Sequence, residues 1–192
     1  YGSSRLWRNG VVVNRLSRSS PVPVLVVPGR REDDVLPSLD RIVIAVDHTV
    51  ASAMALRTAV DLSTRHGAAL TMVHALAGPE QMAFRGAEAL RFARRLPADP
   101  RVLAERLEHQ ARSLGARTPA AVVTTGEPSR GILDVATGQA ADLIVMGVAP
   151  RTWIDEALAG STLRTVLHRA AAAVLVVPVV GGAHEWLEEE AA

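Results

Sequence analysis

The sequence predicts an α/β domain built on a doubly wound, five-stranded parallel sheet. Three observations predict it. Short β-branched runs alternate with helical stretches along residues 39–180, and strands separated by helices pair in parallel through right-handed crossovers. The runs IVIAV, LIVM and VLVV are almost continuously apolar, as strands buried on both faces are. The 192 residues suffice for one domain of ordinary size and a short additional piece.

Each element has its own signal. Ile42–Val46 is the first β-branched run of the domain. Ser52 is placed to cap a helix that runs to about His66 and stops at Gly67. Leu70–His74 is the second strand. Pro79–Arg95 has helical composition, broken by Pro97 and Pro100. Val102–Leu114 is a helix with Val102, Leu103, Leu107, Ala111 and Leu114 near one face. Ala120–Thr124 is the third strand, and Pro128 suits the first turn of a helix reaching about Gln139. Leu143–Met146, a helix over Ser161–Ala170 and the strand Val174–Val177 complete the domain.

The last of these elements occur twice. Val24-Leu25-Val26-Val27-Pro28 recurs as Val174-Leu175-Val176-Val177-Pro178, an offset of 178 − 28 = 150. At the same offset Gly10 matches Gly160, while Val13 and Leu16 match the apolar Leu163 and Val166. An offset of this size is that of a whole domain, not of a solenoid repeat. The expected organisation is the last helix and strand of a truncated first repeat over residues 1–28, a linker over 29–38, the domain over 39–180 and a tail over 181–192. One helix and one strand cannot bury their apolar faces alone. Val24–Val27 and Val174–Val177 are therefore expected to pair antiparallel, within one chain as a pseudo-dimer or between two chains as a homodimer.

Composition removes several chemistries. The chain has no cysteine, which excludes a disulfide framework, a thiol nucleophile and zinc-thiolate or iron–sulfur sites. All 21 basic residues are arginine, so there is no P-loop, Schiff-base or general-base lysine. A net charge of +1 and 3% aromatic residues give neither the electrostatics nor the stacking surface for nucleic acid, and none is expected as a partner. No run approaches the roughly 20 apolar residues that span a bilayer, so no membrane role is expected, and the cytoplasm is the expected location. HExxH, GxSxG and GxGxxG are all absent, and the chain is read as a non-enzyme without a metal site.

In a doubly wound sheet, ligands bind beyond the carboxyl ends of the strands, where the strand order reverses. Asp47 follows the first strand, Ala75 the second and Gly147 the fourth. Asp47 is either a turn and cap residue or a carboxylate that accepts hydrogen bonds from ligand hydroxyls, and its spacing leaves both open. From Gly147 the chain runs GVAPRTWIDEALAGS. Glycine lets a backbone approach a ligand closely, and Gly160-Ser161 opens a helix whose free N–H groups favour an anion. A plain N-cap by Ser161 is the alternative. His74 reads as a structural histidine, and His48 could face the cleft. His66, His109 and His168 read as helix-surface residues.

The pattern Asp-x-Thr-x2-Ser after the first strand, Gly-Glu-Pro after the third, ADLIVMG at the fourth, then Gly-Ser and VLVVP resembles the universal stress protein family over residues 39–178. The resemblance implies a Rossmann-like sheet of order 3-2-1-4-5 and, for the whole parent, a tandem arrangement. One branch of the family binds nucleotide through Gly-x2-Gly-x9-Gly-Ser/Thr. In this sequence the first glycine is Gly147 and the last pair Gly160-Ser161, with nine residues, Arg151–Ala159, between; Pro150 replaces the second glycine. The ribose-contacting aspartate falls on Asp47 and the backbone contact to adenine on Ala75. The implied nucleotide contacts are thus Asp47, Ala75, Gly147, Pro150, Gly160, Ser161 and Thr162, with ATP, ADP or AMP as ligand. Proline lacks an N–H and fixes φ, so the phosphate loop is degenerate and recognition is expected to rest on adenosine. The alternative is a family member without nucleotide that serves as a dimerisation or interaction module.

Overall fold

The computed structural model describes residues 20–28, 38–76, 97, 99–148 and 159–179. The expected helix preceding residue 20, most of the linker, the expected helix Pro79–Arg95, Pro150 and the tail lie outside the described residues. In chain order the elements are β1 (Val24–Val26), β2 (Arg41–Ala45), α1 (Val50–His66), β3 (Ala69–Leu76), α2 (Pro100–Ser113), β4 (Ala120–Thr125), α3 (Pro128–Gly138), β5 (Leu143–Val148), α4 (Ala159–Arg169) and β6 (Ala173–Pro178).

The six strands form one sheet in the order β1-β6-β5-β2-β3-β4. From β2 to β6 this is the expected 3-2-1-4-5 order, and every pairing among these five strands is parallel. The sixth strand is β1, which pairs antiparallel with β6, Val24 against Val176, Leu25 against Leu175 and Val26 against Val174. The pairing expected of the two VLVVP copies therefore forms within one chain.

Alternating side chains of the strands feed two cores, one on each face of the sheet. Ile42, Ile44, Leu70, Met72 and Val145 pack with Ala55, Leu56 and Ala59 of α1 and Leu107 and Ala111 of α2. Val43, Val73, Ile144, Val174 and Val176 pack with Ile132 and Ala136 of α3 and Leu163 and Val166 of α4. Both sets are buried, which is why these strands carry no polar alternation.

Several local expectations are corrected. The N-cap of α1 is Thr49, not Ser52: the Thr49 side chain accepts from the Ser52 N–H, and Ser52 itself is buried within the helix. Gly67 ends that helix as predicted, in the left-handed conformation that residues other than glycine seldom adopt. Pro100 opens α2 behind an Asp99 cap. Leu103, Leu107 and Ala111 form the buried stripe of α2, while Val102, one helical step away, faces outward. The helix expected from Ser161 already includes Ala159 and Gly160, so Ser161 lies in its first turn and is not its cap. At the amino edge of the sheet, the Asp142 carboxylate accepts from the N–H groups of Asp40 and Arg41, tying the start of β2 to that of β5.

Candidate functional site

The strand order places the reversal of direction between β2 and β5. The chain leaves β2 to build β3 and β4 on one side, and β5 and β6 lie on the other. Asp47 stands just past β2 on this carboxyl edge and is exposed. Its Oδ1 accepts from the Thr49 N–H at 3.1 Å and from the Thr49 hydroxyl at 2.6 Å. Asp47 thus organises the turn into α1, through the residue that caps it. The turn reading of Asp47 is realised, and its exposure keeps the carboxylate available to a ligand.

His48, between Asp47 and Thr49, has φ 60°, the left-handed region that non-glycine residues seldom occupy. Its ring lies 4.8 Å from that of His74, tilted by 56°. His74 is buried near the end of β3, and its Nδ1 lies 2.8 Å from the Val46 carbonyl oxygen. A carbonyl only accepts, so Nδ1 carries the proton. Burial, with the neighbouring His74 and Arg106, pushes the pKa of His48 from 6.5 down to about 4 against an opposing pull from Asp47. Both histidines belong to the fabric of the edge: His74 fits its structural reading, and His48 turns toward His74.

Ala75 and Gly147 lie inside their strands, not after them. Parallel pairing continues past the expected ends, Ala75 opposite Thr124 and Gly147 opposite Val177. Ala75 is half-buried near the last residue of β3. The close approach that Gly147 permits is not to a ligand. A Cβ at this position would fall 2.1 Å from the Ala51 carbonyl oxygen and 2.8 Å from the Ser52 nitrogen, so the first turn of α1 sits directly on β5. Gly160, Ser161 and Thr162 occupy the first turn of α4, which the crossover from β5 directs to the same edge of the sheet. Pro150 lies outside the described residues.

The Gly-Glu-Pro segment has a structural use that sequence inspection missed. The Glu127 carboxylate caps α3, accepting from the Ser129 and Arg130 N–H groups at 3.1 and 2.8 Å and from the Ser129 hydroxyl. Burial pushes its pKa up, but these hydrogen bonds outweigh that effect and hold it below its ordinary value of 4.5. The amino end of α3 is therefore already served by a carboxylate of the chain. Glutamate one residue before proline at a helix start was the available signal. A cavity of about 200 Å³ lies at the opposite, amino edge, between Ser63 and Gly67 at the end of α1 and Arg117 before β4. Among the described residues no cluster of three metal-ligating side chains occurs, and no helix is long and apolar enough to cross a membrane.

A universal stress protein from Archaeoglobus fulgidus superposes with a TM-score of 0.62 at 20% identity, over 87% of this chain and 53% of its own. The chain thus spans about half the length of that relative. A universal stress protein in complex with cAMP gives 0.55 at 20% identity, covering 74% of this chain and 98% of its own. Another from Archaeoglobus fulgidus, in complex with dAMP, gives 0.50 at 22%, covering 73% and 99%. No curated protein matches the chain. The profile of the universal stress protein family matches residues 38–178, the whole of the domain from β2 to the end of β6, and the chain belongs to that family.

Proposed function

We propose that the chain is a regulatory, non-catalytic domain that binds an adenine nucleotide, ATP, ADP or AMP, at the carboxyl edge between β2 and β5. The observation that carries this reading is the exposed carboxylate of Asp47 at the point where strand order reverses. Its turn is fixed by Thr49, so a ribose would meet an acceptor already in place. Adenine would lie against the main chain at Ala75, and the phosphates would lie toward Gly160, Ser161 and Thr162. The relatives described as complexes with cAMP and dAMP carry ligands of this class. Pro150 supplies no N–H, so adenosine contributes more of the affinity than the phosphates do.

A second reading, an interaction module without nucleotide, draws on Gly147. The space beside it is filled by α1, so the first signature glycine serves packing. Calorimetric titration with ATP, ADP, AMP and adenosine separates the two. Measurable binding of all four, with adenosine retaining most of the affinity, is the expected outcome. Absence of heat with every ligand would leave the interaction module.

A further inference from the structure

The carboxylate of Asp47 sits on a turn with two fixed ends. On one side β3 holds Val46 twice: the Val46 N–H donates to the Val73 carbonyl at 2.9 Å, and the Val46 carbonyl accepts from His74 Nδ1 at 2.8 Å. On the other side Thr49 is fixed to α1, its carbonyl accepting from the Ser52 hydroxyl and its hydroxyl oxygen from the Ser52 N–H. Asp47 and His48 alone lie between. The two bonds from Thr49 to Asp47 are exposed, so water competes for both. Of residues 47–49 only His48 is withdrawn from solvent, and it is half-buried. It is also an unusual residue for its backbone. At φ 60° glycine meets no steric penalty, whereas an L side chain does. What histidine adds there is a ring, which lies 4.8 Å from that of His74 in the tilted arrangement that aromatic pairs favour. Burial keeps this ring neutral at neutral pH despite the pull of Asp47, so it meets His74 and Arg106 without charge repulsion. His74 thus secures the start of the turn by a hydrogen bond and its middle by a ring contact.

We infer that His48 is a positioning residue of this site: its ring, seated against His74, holds the turn that presents the Asp47 carboxylate and so sets how strongly the site selects ligands with free sugar hydroxyls. The inference rests on the nucleotide reading above. His48 acts through Asp47 and needs no contact with the ligand. Without the ring, a sugar that bonds to Asp47 must itself order the turn, and the entropy of doing so is subtracted from its affinity. A ligand that does not use Asp47 bears no such cost.

His48→Gly isolates the ring, because glycine keeps the left-handed conformation open and puts no strain on the fold. Calorimetric titration compares adenosine with dideoxyadenosine, which lacks both secondary hydroxyls of the sugar. The wild-type chain should prefer adenosine. In His48→Gly the adenosine affinity should fall about threefold, the scale of the extra freedom of a glycine, while the dideoxyadenosine affinity stays as it was. A ring that served the fold alone would lower both affinities together, so an unchanged ratio in His48→Gly overturns the inference. A second readout needs no ligand. The Thr49 amide, bonded to Asp47, should exchange about threefold faster in His48→Gly than in the wild-type chain, while the Val46 amide, bonded to Val73, keeps its rate. Equal Thr49 rates in the two chains would likewise overturn the inference. Binding of neither nucleoside by the wild-type chain would instead overturn the nucleotide reading, and Thr49 exchange would then decide the role of the ring in the turn.

Discussion

At the scale of single residues, the carboxyl edge is organised by three consecutive side chains with different tasks. Asp47 holds the turn, His48 takes the left-handed conformation and Thr49 caps α1. If Asp47 also accepts from a ribose, Asp47→Ala should weaken nucleotide binding by about 1–3 kcal/mol, the scale of hydrogen bonds to a charged group. Calorimetry on the variant checks this, and unchanged affinity would exclude Asp47 as a contact. His48 makes a separate prediction in pH. Its pKa lies near 4 in the fold and 6.5 in a free imidazole, so between these values the unfolded chain binds the extra proton. Its contribution to stability is complete above pH 6.5 and falls as the pH drops toward 4. Denaturation midpoints measured from pH 7 to pH 5 should decline, and His48→Asn, which tolerates the left-handed region, should flatten the decline.

Elements meet at Gly147, where α1 rests on β5. Gly147→Ala must push the first turn of α1 away from the sheet, because the obstruction is backbone and not a flexible side chain. A loss of about 1–3 kcal/mol is expected, the usual cost of overpacking, measured by urea unfolding. Thr49→Ala should cost about 1 kcal/mol through the lost cap, and it also removes the hydroxyl that donates to Asp47. The two variants differ in kind, since only the first moves α1 relative to β5. Pro150→Gly addresses the loop between β5 and α4. Restoring an N–H there should raise ATP affinity more than adenosine affinity, and equal changes would mean that the loop does not meet the phosphates.

For the whole molecule, the sheet order and the antiparallel β1–β6 pairing were legible in the sequence. The order came with the family pattern, and the pairing came from an exact five-residue repeat in register with a preceding glycine and apolar helix positions. Asp47 was legible as an edge residue because it directly follows an apolar run. Less legible were the ends of elements. Ala75 and Gly147 look like loop residues after the apolar runs, but parallel neighbours extend both strands past them. Tertiary approach was not legible either. Nothing in the local sequence around Gly147 says that the backbone it admits belongs to α1, residues 51 and 52, about a hundred positions earlier. Removing residues 1–28 should bare the edge of β6 and change the oligomeric state or solubility, which sedimentation of the shortened and the 192-residue chain at several concentrations checks.

The seam between β1 and β6 also dictates an order of assembly. Leu25 and Leu175 are 175 − 25 = 150 positions apart, whereas the first residues of β2 and β3 are 69 − 41 = 28 apart. Closing the longer loop in an unstructured chain costs about 1.5 kcal/mol more in entropy. Once β2 to β6 are in place, the same contact closes only the short stretch between β1 and β2. The inexpensive route is therefore for β1 to arrive last, on a finished edge, and the same route in reverse makes it the first strand to leave. Amide exchange should show Val24 and Val26 opening well below the global unfolding energy while Ile42 to Ile44 exchange only with it. β1 thereby fastens to β6 as the closing event of folding, and the junction can loosen without dissolving the domain it closes.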